Sequence, residues 1–343
     1  MSDIDIRIEG RAGRITLNRP AALNALTYDM VLAIEAAIDG WRDADIDLVL
    51  IDAVGERAFC SGGDIADMYR SGQEGDLEYG RQFWRDEYRL NAKLFEYPKP
   101  VVSFLQGFTM GGGVGVGCHG SHRIVGESSQ IAMPECGIGL VPDVGGSLML
   151  ALCDGHLGEY LGMTGTRMGA GDAIYAGFAD GFIPEGDWPN VKARLVAGDM
   201  TAIVYQTPPK GSLKAMQPEI DANFAGATLG DIERALLSET SEFATQTLKA
   251  LHRNAPLAMG CCMQIVRRLR SADSIRTALD QEYRFTHRAV AQGDFIEGIR
   301  AAIIDKDRSP KWAHPTIAQL PNSEVVKMLL PLGADALTWE DMT

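Results

Sequence analysis

From its start the chain alternates in polarity. Ile4, Ile6 and Ile8 stand between Asp3, Asp5, Arg7 and Glu9, and after Arg11-Ala12-Gly13 the pattern resumes in RITLN. A period of two puts the isoleucines on one face, which predicts a β-hairpin half-buried on one side. Then the period lengthens: Met30, Ile34, Ala37, Ile38 and Trp41 recur at helical spacing behind Thr27, a good capping residue, and predict a helix over 28–42. The run LVLIDAV (48–54) reads as a buried strand. Strand, glycine-bearing turn and helix then recur in FCSGGDIADMY, VVSFLQGFTMGGGVGVG, HRIVGESSQIAMPE and GGSLMLALCDG. Such repeated ββα units predict an α/β fold of stacked sheet layers walled by helices.

Residues 79–96 carry a long helical pattern that stops before Pro98 and Pro100. Beyond about residue 183 strand signals cease, and 188–197, 230–252, 256–270 and 272–304 read as helices. YQTPPKGSLKAMQ (205–217) reads as a linker. The expected organisation is an α/β body over 1–204, this linker, and a mainly helical region over 218–343.

Composition narrows the function. A net charge of −14 over 343 residues argues against nucleic acid as a partner, because phosphate binding needs a basic field. The six cysteines form no CxxC pair, and Cys118, His119, His122 and Cys136 lie beside a glycine run rather than at zinc-site spacing, so no metal is expected. MSDIDIRIEG reads as a strand rather than a targeting peptide, and no apolar run of about 18 residues exists to span a membrane. The expectation is a cytoplasmic protein without a membrane partner.

Chemistry concentrates in IAMPECGIGLVPDVGG (131–146). Two acids, Glu135 and Asp143, each follow a proline among apolar residues, although Asp143 could equally N-cap the helix that begins in GGSLML. Just upstream, Gly111, Gly112 and Gly113 open a helical stretch, where backbone N–H groups lack intrahelical partners and can hold an oxyanion. A second donor could come from the Cys60-Ser61-Gly62-Gly63 turn, and two such amides would polarise a carbonyl. Gly115, Gly117 and Gly120 also fit GxGxxG, yet a dinucleotide site needs an acid roughly 20 residues on at a strand end. Glu127 comes too soon for that role, and Glu135 follows a proline. No GxSxG elbow is present. Cys60 is favoured for its backbone over its sulfur, since no histidine nearby in sequence is placed to activate the thiol.

NRPAALNALT, AFCSGGDI, QGFTMGGGVGVG and MPECGIGLVPDVGG, in that order, resemble the crotonase superfamily, the enoyl-CoA hydratase/isomerase fold. FWRDEYRLN, LGMTGTRMGAGDAIYAGFAD and DFIEGIRAAIIDKDRSPKW resemble its 3-hydroxyisobutyryl-CoA hydrolase branch. The resemblance implies a crotonase-like spiral of ββα repeats with a mainly helical C-terminal region. It implies an acyl-CoA substrate whose thioester oxygen meets the amides of Cys60 and Gly112, with Gly63, Gly111 and Glu87 also at the substrate. For Glu87 the alternative is an exposed helix charge. Hydratases of the family use two glutamates; here Glu135 stands at the second position and Gly115 replaces the first, which counts against hydration. Asp143 replaces a glycine usual in hydratases and marks the hydrolase branch. Ala21 stands where relatives often carry lysine, leaving Arg19 as a candidate cation for CoA. The implied function is hydrolysis of a short 3-hydroxyacyl-CoA, foremost 3-hydroxyisobutyryl-CoA in valine breakdown, with Glu135 and Asp143 catalytic. CoA would be part of the substrate, and no separate cofactor is implied. The alternatives are an enoyl-CoA hydratase or isomerase and a non-catalytic acyl-CoA-binding protein. Assembly into a homo-oligomer stays open.

Overall fold

A computed structural model describes residues 2–272 and 274–339. The chain packs as two units: one built from the segments up to Asp64, Asp86–Ala132 and Arg167–Lys214, the other from Ile65–Arg85, Met133–Thr166 and the chain from Ala215 on.

The first unit holds the described strands. β1 (Ile4–Glu9) pairs antiparallel with β2 (Ala12–Leu17), with Ile4 opposite Leu17 and Ile6 opposite Ile15. This is the hairpin that the alternation predicts. The helix Tyr28–Trp41 follows, and Thr27 accepts a hydrogen bond from the Met30 amide at 3.2 Å. After it come β3 (Leu48–Ala53) and β4 (Ala58–Cys60), then β5 (Val101–Phe104) and β6 (Phe108–Met110). They are succeeded by β7 (His122–Val125) and β8 (Gln130–Ala132), and last β9 (Gly181–Phe182). The pairs β3/β4, β5/β6 and β7/β8 each give their first strand to a six-stranded sheet ordered β1-β2-β3-β5-β7-β9 and their second to a parallel sheet β4-β6-β8. The ββα repeat seen in the sequence is therefore one turn of a winding.

β3 is apolar throughout its first four residues because both faces are covered: Leu48 to Ile51 are fully buried. Leu48, Leu50, Val102, Phe104 and Ile124 form one face, packed on Trp188, Val191 and Leu195 of the helix Trp188–Val196. Asp52 interrupts this apolar setting and is satisfied by Arg14 at 2.7 Å, Lys192 at 2.9 Å and the Thr16 hydroxyl at 2.7 Å. Burial pushes the Asp52 carboxyl up, but the charges of Lys192 and Arg14 outweigh it and hold it below the usual carboxylate range. Asp52→Ala would leave two cations without their buried partner, so we expect a loss of about 3 kcal/mol in urea unfolding at pH 7. The wild-type advantage over this variant fades as pH falls through the native Asp52 pKa.

The second unit is helical. Its centre is Pro256–Leu269, which starts with proline at its first position and is buried along Pro256–Met263. Around it pack Gly146–Ala151, Leu157–Thr164, Ile275–Gln292 and Asn322–Met328. The pattern over 230–252 resolves into two helices, Leu229–Leu237 and Glu242–Arg253, because Thr228 and Asp231 form a capping box and Ser241 caps the second. That over 272–304 resolves into Ile275–Gln292, Phe295–Ile299 and a π-helical turn Arg300–Ile304. A helix also begins at Leu213, inside the stretch read as linker.

Candidate active site

In the first unit the site begins where β4 ends. Asn24, 1% exposed, donates to the carbonyls of Val54 at 3.0 Å and Ala58 at 2.9 Å and accepts from the Arg19 amide at 2.8 Å. These bonds anchor the NRPAALNAL loop beside the SGGD turn. The Leu26 amide then donates to the Gly62 carbonyl at 2.9 Å, and the Asp64 amide donates to Leu26 at 2.7 Å. In such a parallel bridge the flanking residues Gly62 and Asp64 make the bonds, so the Gly63 N–H is turned away from Leu26. Gly112 lies on that other side: a Cβ built on it would sit 3.3 Å from the Gly63 nitrogen and 2.9 Å from Glu87 Oε1. Gly112 is also the first residue of the helix Gly112–Gly117, where an amide has no acceptor within the helix. Gly111, at φ +51, makes the turn into it.

Gly63, Gly111, Gly112 and Glu87 thus come together. Cys60 does not join them through its amide position: it is the last residue of β4, paired with Thr109, and its carbonyl lies under Gly113, 2.3 Å from where a Cβ would stand. The amide beside Gly112 is that of Gly63, three residues on from the one the resemblance suggested. The Cys60 thiol donates to the Gly62 carbonyl at 3.6 Å and burial pushes it up to about 12, which argues against a thiolate nucleophile. Glu87 is 3% exposed on the helix Leu77–Phe95, so it is not a surface helix charge. Arg19 is engaged by the Ala25 carbonyl at 2.6 Å, Asp64 at 3.1 Å and Asp3 at 3.3 Å, which leaves it poorly placed as a cation for CoA.

In the second unit Glu135 opens a 3-10 turn, Glu135–Ile138, behind Pro134 and is 5% exposed. The Leu140 amide closes the turn on the Glu135 carbonyl at 3.0 Å. Gly139 leaves it at φ +75, and a side chain there would meet the backbone of Asp294 at 2.6 Å. Gly298 packs its backbone on the Ile138 carbonyl, 2.0 Å from where its Cβ would be. The DFIEG part of the C-terminal motif is therefore the support under the Glu135 turn. Asp143 is 4% exposed, and the helix Gly146–Ala151 starts with Gly145 at its N-cap and without a side-chain cap, so Asp143 is not its cap. Val144 at φ +53 and Gly145 at φ +80 bend the chain between them.

A residue not picked out from the sequence holds this bend. Glu282, fully buried, accepts from the Gly145 amide at 2.9 Å, the Ser147 amide at 3.1 Å and the Ser147 hydroxyl. A readable signal existed: Glu282 falls on the apolar stripe of its helix, with Ala278, Leu279, Phe285 and Ala289. Among the described residues no cluster of three or more His, Cys, Asp or Glu side chains could hold a metal. No described helix is long and apolar enough to cross a membrane.

Residues 12–329 match the enoyl-CoA hydratase/isomerase family profile. The chain belongs to that family. Its curated relatives include the mitochondrial 3-hydroxyisobutyryl-CoA hydrolases of Gallus gallus, 34% identical over 98% of this chain and 91% of the relative, and of Danio rerio, 36% identical over 93% and 87%. Among solved structures, an enoyl-CoA hydratase from Rhodobacter sphaeroides 2.4.1 is 56% identical with a TM-score of 0.97, covering 98% of this chain and all of that one. A carnitinyl-CoA dehydratase from Mycobacterium thermoresistibile is 37% identical with a TM-score of 0.95, covering 99% of this chain and all of its own. The winding of ββα turns with a mainly helical C-terminal region is thus the crotonase fold expected from the motifs. This chain carries an acid, Asp143, in PDVGG and no carboxylate on the helix Gly112–Gly117.

Proposed function

We propose that the protein hydrolyses the thioester of a short 3-hydroxyacyl-CoA, with 3-hydroxyisobutyryl-CoA as the leading substrate, a reaction that would belong to valine breakdown. The observation that carries this reading is the approach of the Gly63 nitrogen to Gly112, the first residue of a helix that offers no carboxylate of its own. Such a pair suits the oxyanion that forms when a carbonyl is attacked. With Gly115 in place of a second glutamate, addition of water across a double bond lacks one of its two acids.

In this reading Glu135 delivers the oxygen nucleophile, either by direct attack or by taking a proton from water. The acyl carbon gains an oxygen, the carbon–sulfur bond breaks, and CoA leaves as a thiolate that then takes up a proton. Asp143 and Glu87 recognise the polar end of the acyl group. CoA is part of the substrate, and no further cofactor is called for.

The competing reading, enoyl-CoA hydration, draws on the name of the Rhodobacter structure and its 56% identity. Supplying a panel of 3-hydroxyacyl- and enoyl-CoAs separates the two. We expect free thiol to appear from 3-hydroxyisobutyryl-CoA while enoyl absorbance at 2-enoyl-CoA stays constant. Loss of enoyl absorbance without thiol release would favour hydration. CoA esters bound but unchanged would favour a non-catalytic binding protein.

A further inference from the structure

Glu282 is a buried acid with no role in the reading above, and its surroundings are unusual. Both of its oxygens are used on one short turn: Oε2 takes the Gly145 amide, and Oε1 takes the amide and hydroxyl of Ser147. That turn contains the left-handed residues Val144 and Gly145 and carries Asp143. A second carboxylate acts on Glu282 from within it, and that carboxylate is Asp143. Other charged groups on neighbouring elements bond partners other than Glu282. Arg268 bonds Gln281, Arg267 bonds Glu159, Arg85 pairs with Glu78 and donates to the Tyr283 hydroxyl at 2.8 Å, Glu324 pairs with Lys327, and Glu297 pairs with Arg300. On its own helix, Arg284 donates to the Leu329 carbonyl, and Asp280 lies two residues away on another face.

We propose that Glu282 is a positioning residue for Asp143, clasping the 143–147 turn through both carboxyl oxygens. The proposal rests on the functional reading only in giving Asp143 a part in the reaction. Burial and the Asp143 charge push the Glu282 carboxyl up to about 8, against the pull of its three donors. Below that pH the Glu282 carboxyl keeps its proton. Above it two like charges are confined without solvent, and the turn that presents Asp143 is repelled from its clasp.

The linkage has a definite sign. The folded value stands above the usual 4.5, so the folded state holds the proton more tightly, and stability falls as pH rises from about 4.5 to about 8. Glu282→Gln cannot ionise and flattens that decline.

The test combines activity with a readout independent of it. In the wild type, kcat/KM for thiol release should fall about tenfold from pH 7 to pH 9, and in Glu282→Gln this alkaline fall should vanish while the level at pH 7 drops. Carbon-13 NMR of protein labelled at glutamate carboxyls should show one resonance titrating at about 8 that is absent in Glu282→Gln. Asp143→Asn should move it down by about one pH unit. The proposal is overturned if no glutamate titrates above about pH 6, if Asp143→Asn leaves that titration unmoved, or if Glu282→Gln keeps the alkaline fall. Should Glu282→Gln not fold, the Asp143→Asn titration alone decides. A wild type that releases no thiol yet shows the coupled titration sinks the functional reading and leaves the pairing of Glu282 with Asp143 standing.

Discussion

Glu135→Gln lowers kcat for thiol release by about 10³-fold while leaving the fold and the affinity for acyl-CoA close to wild type. The substitution keeps the size and shape of the side chain and removes only its capacity to take a proton or attack a carbonyl. What holds the turn is backbone: the Glu135 carbonyl receives the Leu140 amide at 3.0 Å, the Gly137 amide donates to Pro134 at 2.9 Å, and Gly139 and Gly298 close on their neighbours without side chains. None of these contacts needs the carboxylate, so circular dichroism and the unfolding midpoint should change little. Calorimetric titration with substrate separates the effects, because a group acting in the transition state moves kcat and leaves binding in place. If the variant turns over within a few fold of wild type, Glu135 is not the reacting group. If its affinity collapses with its rate, Glu135 serves binding instead.

Local features of the fold were legible where one short segment decides them. The β1–β2 hairpin follows from alternation, and the first helix follows from Thr27 and the spacing of Met30, Ile34 and Ile38. Helix breaks at 238–241 and at Gly293 were not, because capping by Ser241 and the close of one helix at Gly293 depend on hydroxyl and backbone geometry that a hydrophobic count passes over. The candidate site divides in the same way. Glu135 and Asp143 are buried, as the flanking apolar residues suggested, and Glu87, which only the resemblance put at the substrate, is buried too. The amide beside Gly112 needed the structure: the choice between Cys60 and Gly63 turns on which residue of the SGGD turn bridges Leu26, thirty-odd residues earlier. Glu282 lies 139 residues beyond Asp143, and only the packing of its helix on Gly146–Ala151 brings the two together.

Gly112→Ala is the sharper probe of the oxyanion pair. Its backbone lies outside the left-handed region, so alanine meets no conformational penalty there and is the better helix former. Folding should be preserved, since the nearest atom to the new methyl, Glu87 Oε1 at 2.9 Å, ends a side chain with freedom to shift. The methyl would, however, stand 3.3 Å from the Gly63 nitrogen, in the space a carbonyl oxygen must occupy to meet both amides. Loss of one such donor typically costs 10²–10³ in rate, about 3 to 4 kcal/mol of barrier, and here the oxygen is displaced from two at once. We therefore expect kcat/KM to fall by at least about 10³-fold with the thermal midpoint nearly unchanged. Gly111→Ala offers no such contrast, because its φ of +51 strains any side chain and would confound rate with stability. Cys60→Ser keeps the Cys60 amide and changes only a thiol that faces the Gly62 carbonyl, so it tests the thiol as a nucleophile and should leave the rate within a few fold. Turnover that survives Gly112→Ala would mean the thioester oxygen does not sit between these amides, and the assignment of the pair would fall with it.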